Sequence, residues 1–252
     1  MTIQSAISAA TAYCDFRSKT NPGDVLPPDA LPTEALPTEV LPPDAVQLRE
    51  SHGVRRRCGR REALFQQGDP ATHIFRLKDG AVALEQFLED GRRQLVELLL
   101  PSDVCGLSSG GCYTATAIAL VPTTFQVCSV AEIERQPWLG WEIVHQFEAQ
   151  LCAAHEHVLA LGRMAAQERV CSLLVRLARL SAQASESPAG AKMPIAIRLP
   201  LTRGEMGDYL GLSLETVCRV MSGLERRGII EIGRRHGDVI INDLARLEHM
   251  FG

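Results

Sequence analysis

The sequence of 252 residues predicts an α+β chain: a β-rich first half, one long helix, and a small C-terminal domain of short helices and a hairpin. Three observations predict it. Short apolar runs between turn signals fill residues 46–136. An apolar seam spaced alternately three and four residues follows them. Two short capped helices joined by a glycine lie near the C terminus. Hydrophobic residues make up 46% and charged residues 22%, the composition of an ordinary folded chain. The net charge of -4 hides an asymmetry, because residues 163–252 hold 13 Lys and Arg against 10 Asp and Glu. The C-terminal third is therefore basic and the remainder acidic, which places any polyanion partner at the C-terminal end.

Residues 1–45 read as a disordered, Pro-rich acidic tail. Leu-Pro recurs every five residues at Leu26, Leu31, Leu36 and Leu41, and seven of the 14 prolines lie between Pro22 and Pro43. That density excludes a helix and favours extended segments, either solvated or docking on a partner. Met1 to Tyr13 lacks the basic start and solid apolar core of a signal peptide. The eight cysteines are scattered rather than arranged as a disulfide framework. The expected setting is a reducing cytoplasm, with no membrane partner: Val104 to Ala131 is uncharged but broken by glycine, serine, threonine and proline.

Residues 46–136 predict a β-roll or sandwich. Ile74–Leu77, Ala81–Leu88, Gln94–Leu100, Tyr113–Leu120 and Thr123–Val130 are strand candidates, and Cys58 lies on an Arg-rich one. Residues 137–165 predict a long helix opened by Pro137. Val144, Phe147, Leu151, Ala154, Val158 and Leu161 form a heptad seam along it. One helix cannot bury both this seam and a core-facing stripe, so a parallel homodimer is expected. The alternative is a helix packed only on its own domain. Residues 166–252 open with an amphipathic helix over Ala166–Leu180 and a loop over Ser181–Pro194.

The segment Leu201–Arg227 carries the functional signal. Thr202 caps a helix over Arg203–Leu210, Gly211 suits a left-handed turn, and Ser213 caps the next helix. This is a helix-turn-helix. Val217, Val220, Met221 and Leu224 share the anchoring face of its second helix; Glu215, Cys218, Arg219 and Ser222 share the other. Arginine pairs bidentately with guanine and glutamate accepts from cytosine, so this stripe suits base edges in the major groove of double-stranded DNA. Thr202, Arg203, Ser213, Thr216, Arg226, Arg227, Arg234 and Arg235 are candidates for phosphates. Ile229–Ile232 and Val239–Ile241 bracket a hairpin wing. The competing reading makes Glu215 and Arg219 a surface ion pair on an unremarkable helix.

At these residues the chain resembles the CRP/FNR family of bacterial transcription regulators, from about Val46 onward. It is most similar to the FNR and FixK branch, whose recognition helix carries E-x-x-S-R; here Glu215-Thr216-Val217-Cys218-Arg219 puts cysteine in place of serine. The resemblance implies a cyclic-nucleotide-binding-like β-roll, a long dimerisation helix and a winged helix-turn-helix. It also implies a TTGAT…ATCAA palindrome, with Arg219 reading the guanine and Glu215 the neighbouring pair. A FixK-like regulator activates microaerobic, nitrogen-fixation or denitrification genes through RNA polymerase.

The same residues bear on the family's sensor chemistries. The cyclic-nucleotide cassette falls on Gly106–Leu120, and Val104–Ala131 holds no charged residue to meet a phosphate, so no cyclic nucleotide is expected. An iron-sulfur cluster needs four converging thiolates, and the N-terminal cysteine cluster is missing: Cys14 stands alone, leaving Cys58, Cys105, Cys112 and Cys128. Haem ligated by His73 or a cysteine is a weaker option. No cofactor is the expectation, with a non-standard cluster as the alternative. Cys218 beside the proposed guanine reader is a candidate redox switch, because oxidation would put negative charge at a DNA-facing surface; an inert replacement for serine is its plain alternative. A ligand-binding subunit without a DNA role would need a cation in the cassette, and an enzyme would need a nucleophile-base pair, P-loop or zinc spacing. Neither is seen in the sequence, so the chain is expected not to be an enzyme.

Overall fold

The computed structural model describes residues 53–87, 93–108, 110–184, 194–233 and 237–250. The acidic Leu-Pro repeat and the wing residues Arg234 and Arg235 lie outside these residues.

Among the described residues, eight strands build the first half: β1 (Val54–Cys58), β2 (Ala63–Phe65), β3 (His73–Asp79), β4 (Val82–Phe87), β5 (Arg93–Leu99), β6 (Val104–Cys105), β7 (Thr116–Ala119) and β8 (Thr123–Ser129). They form two four-stranded sheets, ordered β1-β8-β3-β6 and β2-β7-β4-β5, and every pairing is antiparallel. The alternating apolar residues of the two inner faces meet as one core. Phe65, Phe75, Leu77, Val82, Leu99, Tyr113 and Phe125 fill it, with Phe65 and Tyr113 stacked at 4.0 Å between centroids.

The chain leaves β8 of the first sheet through two helices, α1 (Val130–Arg135) and α2 (Pro137–Arg163). Val130 begins a helix rather than ending the predicted strand: the Ser129 side chain accepts from the Glu132 backbone N–H and caps it. Ile133, Leu139 and Ile143 seat both helices on Ile74, Val104 and Cys128 of the first sheet. A second tie is the ion pair of Arg76 on β3 with the nearly buried Glu142 on α2, at 3.1 Å.

Helix α3 (Ala166–Ala184) runs one turn beyond the predicted Leu180, taking its first residues from the expected loop. Then come β9 (Ile195–Arg198), α4 (Arg203–Leu210), α5 (Leu214–Arg226), β10 (Ile230–Ile232), β11 (Asp238–Ile241) and α6 (Leu244–Glu248). β10, β11 and β9 form a small antiparallel sheet. Its core joins Val170, Leu174 and Ala178 of α3 to Met206, Val217, Met221, Leu224, Ile229 and Ile241. The same apolar cluster continues into Ala83, Leu95 and Leu98 of the second β-sheet, so α4 sits directly on β5.

Candidate nucleic-acid interface

The helix-turn-helix is set by local chemistry. The Thr202 hydroxyl accepts from the Glu205 backbone N–H at 3.2 Å, and the Glu205 carboxylate accepts from the Thr202 backbone N–H at 2.7 Å. This reciprocal box satisfies two otherwise orphaned donors and fixes where α4 starts. Gly211 ends α4 at φ +63°, a left-handed conformation that a Cβ disfavours. Gly207 answers a different demand: a Cβ there would stand 2.6 Å from the Leu212 carbonyl oxygen, so only glycine lets the turn fold back this closely. Ser213 then accepts from the Thr216 backbone N–H and starts α5.

Helix α5 divides as its spacing predicts. Val217, Met221 and Leu224 are no more than 1% exposed and anchor it, with Val220 half-buried beside them. Glu215, Cys218, Arg219 and Ser222 are all exposed on the opposite face. Among the described residues no ion pair joins Glu215 to Arg219, so both head groups remain available to an outside partner.

The predicted phosphate contacts take several places. Ser213, Arg226 and Arg227 are exposed, while Thr202 and Thr216 are half-buried. The Thr216 and Ser213 hydroxyls lie 2.9 Å apart. Arg203 is half-buried, and that burial pulls its guanidinium below the ordinary arginine value, against the pull of Cys218 and Glu225. It lines a groove of about 350 Å³ between α5 and the wing, together with Thr202, Cys218, Ser222, Ile232 and Asp238.

The heptad positions of α2 are open. Val144 is 50% exposed, Phe147 43%, Leu151 46% and Val158 65%, whereas Ala154 and Leu161 are half-buried. Large apolar side chains this exposed along one helical stripe have the character of an interaction surface.

Among the described residues the cysteines do not converge. Cys105 and Cys128 are buried on β6 and β8, Cys58 is half-buried, and Cys112 is exposed on a loop. Among the described residues no three His, Cys, Asp or Glu side chains are grouped to hold a metal. Burial pushes the Cys105 thiol well above the ordinary range, with Glu97 and Asp103 adding to the rise. Such a thiol resists becoming the thiolate that metals bind. Cys14 lies outside the described residues. His73 is exposed, its Nδ1 2.9 Å from the Thr72 hydroxyl.

Behind the cassette lies a cavity of about 180 Å³, lined by Phe65, Leu84, Cys105, Tyr113, Phe147 and Gln150. Glu97 also faces it, and burial holds that carboxyl above the usual carboxylate range. The Gln150 amide donates to Glu97 at 2.7 Å. A cyclic phosphate would meet a carboxyl group here rather than a cation.

Sequence reasoning missed the contacts that set the C-terminal domain against the β-roll. Arg93 on β5 reaches the buried Glu85 at 3.1 Å and Asp208 on α4 at 3.4 Å. Arg61, in the β1–β2 turn, reaches Glu205 of the capping box at 3.1 Å. Arg176 on α3 donates to the Tyr209 hydroxyl at 3.3 Å and lies 3.8 Å from Asp103. These partners stand up to 144 residues apart, beyond any local signal.

Comparison with known proteins agrees with this geometry. Residues 168–250 match the Crp-like helix-turn-helix domain, and residues 55–136 match the cyclic nucleotide-binding domain. The chain is 34% identical over 217 residues to the nitrogen fixation regulation protein FixK of Bradyrhizobium diazoefficiens, covering 81% of this chain and 86% of that protein. It belongs to the CRP/FNR family of transcription regulators. A second family member, the transcriptional activator protein FnrL of Cereibacter sphaeroides, is 38% identical over 193 residues, which cover 74% of this chain and 75% of that protein. The solved structure of FixK2 from Bradyrhizobium japonicum superposes with a TM-score of 0.68 at 29% identity, covering 79% of this chain and 98% of that one. A member of this family is a DNA-binding transcription regulator and not an enzyme. No helix among the described residues is long and apolar enough to cross a membrane.

Proposed function

We propose that the chain is a cytoplasmic FixK-like activator that binds TTGAT…ATCAA-type palindromes as a homodimer and recruits RNA polymerase at microaerobic or nitrogen-fixation promoters. One observation carries the reading: Glu215, Cys218, Arg219 and Ser222 are exposed on a helix whose opposite face is locked into the core. Arg219 reads guanine, Glu215 reads the neighbouring pair, and Cys218 and Ser222 complete the base-reading stripe. Thr202, Arg203, Ser213, Thr216, Arg226 and Arg227 hold phosphates, with Arg234 and Arg235 of the wing. The seam of Val144, Phe147, Leu151, Ala154, Val158 and Leu161 spaces two such helices about 34 Å apart for successive major grooves. The names FixK and FnrL of the relatives support the physiological part.

In this proposal the β-roll works without a cyclic nucleotide or iron-sulfur cluster. The carboxyl-lined cavity and the spread of the cysteines support that reading. Fluorescence anisotropy with a TTGAT…ATCAA duplex and a scrambled duplex, each at several salt concentrations, tests the function. Tighter binding to the palindrome at every salt is expected; equal binding to both would overturn it.

Cys218 adds redox control to the same surface. It is exposed beside Arg219, so oxidation to a sulfinic or sulfonic acid would set a negative charge against the DNA. Peroxide is expected to abolish operator binding by the parent and to spare Cys218→Ser. Equal loss in both would assign the effect to another cysteine.

A further inference from the structure

The edge of the β-roll carries a concentration of positive charge that DNA reading by α5 does not use. Strand β1 is the edge of its sheet, and Arg55, Arg56 and Arg57 on it are exposed. Arg60 and Arg61 follow in the next turn and are exposed too. Five arginines thus occupy seven positions. Among the described residues no carboxylate forms an ion pair with Arg56, Arg57 or Arg60.

Across the sheet, Arg55 and Lys78 border a shallow depression of about 270 Å³ with Gly53 and Gln126. Gln126 is only 4% exposed, yet its side-chain oxygen has no hydrogen-bond partner.

The complementary charge is in the same chain. Asp24, Asp29, Glu34, Glu39 and Asp44 recur every fifth residue, and no lysine or arginine occurs from residue 20 to residue 48. We propose that this acidic Leu-Pro repeat, residues 24–44, docks on the arginine-rich β1 edge of its own chain. The reach is sufficient: Asp44 stands nine residues before Gly53, a span of up to about 30 Å. In an extended proline-rich segment, acids five residues apart lie about 15 Å from one another, close to the length of a five-residue strand. The prolines lack the N–H groups needed to add a strand, so the contact is made by side-chain charge. Single exposed ion pairs are weak, but tethering raises the local concentration of the repeat to about millimolar.

The docked repeat has a consequence for DNA. Arg61 of this patch touches Glu205 on α4, so the patch borders the DNA-binding domain. With acids about 15 Å apart, one or two carboxylates at a time lie beside the arginines, and they reduce the attraction of the patch for DNA of any sequence.

Endoproteinase Glu-C cuts after Glu34 and Glu39 and reads the docking in the full chain. At low salt, cleavage there is expected to be roughly threefold or more slower in the parent than in an Arg56→Gln/Arg57→Gln/Arg60→Gln variant, with the gap closing near 1 M salt, where the Debye length is about 3 Å. Equal rates at low salt would overturn the proposal. A charge exchange guards against a folding defect in the triple variant. Asp24→Lys/Asp29→Lys/Asp44→Lys should lose protection and regain it when combined with Arg56→Glu/Arg57→Glu/Arg60→Glu. Failure to regain it would equally overturn the docking. Neutralising all five acids in the full chain should tighten binding to scrambled DNA and steepen its salt dependence, and adding the three Arg→Gln changes should cancel both effects. If scrambled-DNA binding does not respond to the tail charges, the proposed screening is wrong.

Discussion

The imidazole of His157 on α2 lies flat on the ring of Tyr209 on α4, with centroids 4.0 Å apart and 3° between the planes. The stack couples the helix that carries the proposed dimer seam to the first helix of the helix-turn-helix. Burial, together with the charges of Arg176 and Arg169, holds the imidazole below its ordinary value of 6.5, while a hydrogen bond with the Tyr209 backbone opposes the shift.

A pH dependence follows from that direction. The unfolded chain binds the His157 proton more readily than the folded one, so this residue's contribution to stability is lost as pH falls below 6.5. Glu97 and Asp103 face the same region and are held above their ordinary values of 4.5 and 3.8, chiefly by burial. They bind protons more readily when folded, so they act with the opposite sign, at pH above their ordinary values, and the comparison with a variant changed only at His157 separates the two. Urea unfolding at pH 7.5, 6.5 and 5.5 should therefore show a steeper loss of stability in the parent than in His157→Phe, which keeps a ring on Tyr209 but cannot titrate. Parallel pH profiles would contradict the assignment.

Arg93 and Asp208 should prove unequal partners. Asp208 is exposed, and an exposed pair contributes about 0–1 kcal/mol. Arg93 also neutralises Glu85, which is 1% exposed with its second carboxylate oxygen unpartnered. Arg93→Ala leaves that carboxylate buried alone and is expected to cost roughly 2–3 kcal/mol, against less than ~1 kcal/mol for Asp208→Ala. Equal costs in denaturant titrations would show that Glu85 is relieved in another way.

Leu151→Asp places a charge in the middle of the seam. Sedimentation is expected to show monomers, with operator binding weakened because one recognition helix meets only one half-site. A dimer that persists and binds the operator unchanged would remove α2 from the interface.

How much of this was legible depended on whether the determinant was local. The helix-turn-helix was readable almost residue by residue, because Thr202, Gly211 and Ser213 act on neighbours within one turn. The two faces of α5 followed from spacing alone. Short elements escaped: β6 and β9 have two and four residues, too few to establish an alternation. Helix α1 was hidden by β-branched Val130, although Ser129 and Glu132 hold the spacing of a capping box. The joint between the halves was illegible for a different reason. Arg61–Glu205, Arg93–Asp208 and His157–Tyr209 join residues distant in sequence, and no periodicity records which elements will meet.

The most direct measurement of the central claim compares Arg219→Ala with Arg226→Ala on operator and scrambled duplexes. Arg219 is proposed to read a base edge, so its loss should remove ~1–3 kcal/mol of discrimination and bring the two affinities together. Arg226, at the far end of α5, is assigned to a phosphate; its loss should weaken both duplexes alike and reduce the salt slope by about one. Arg219→Ala lowering both affinities by the same factor, with the operator preference intact, would contradict the account.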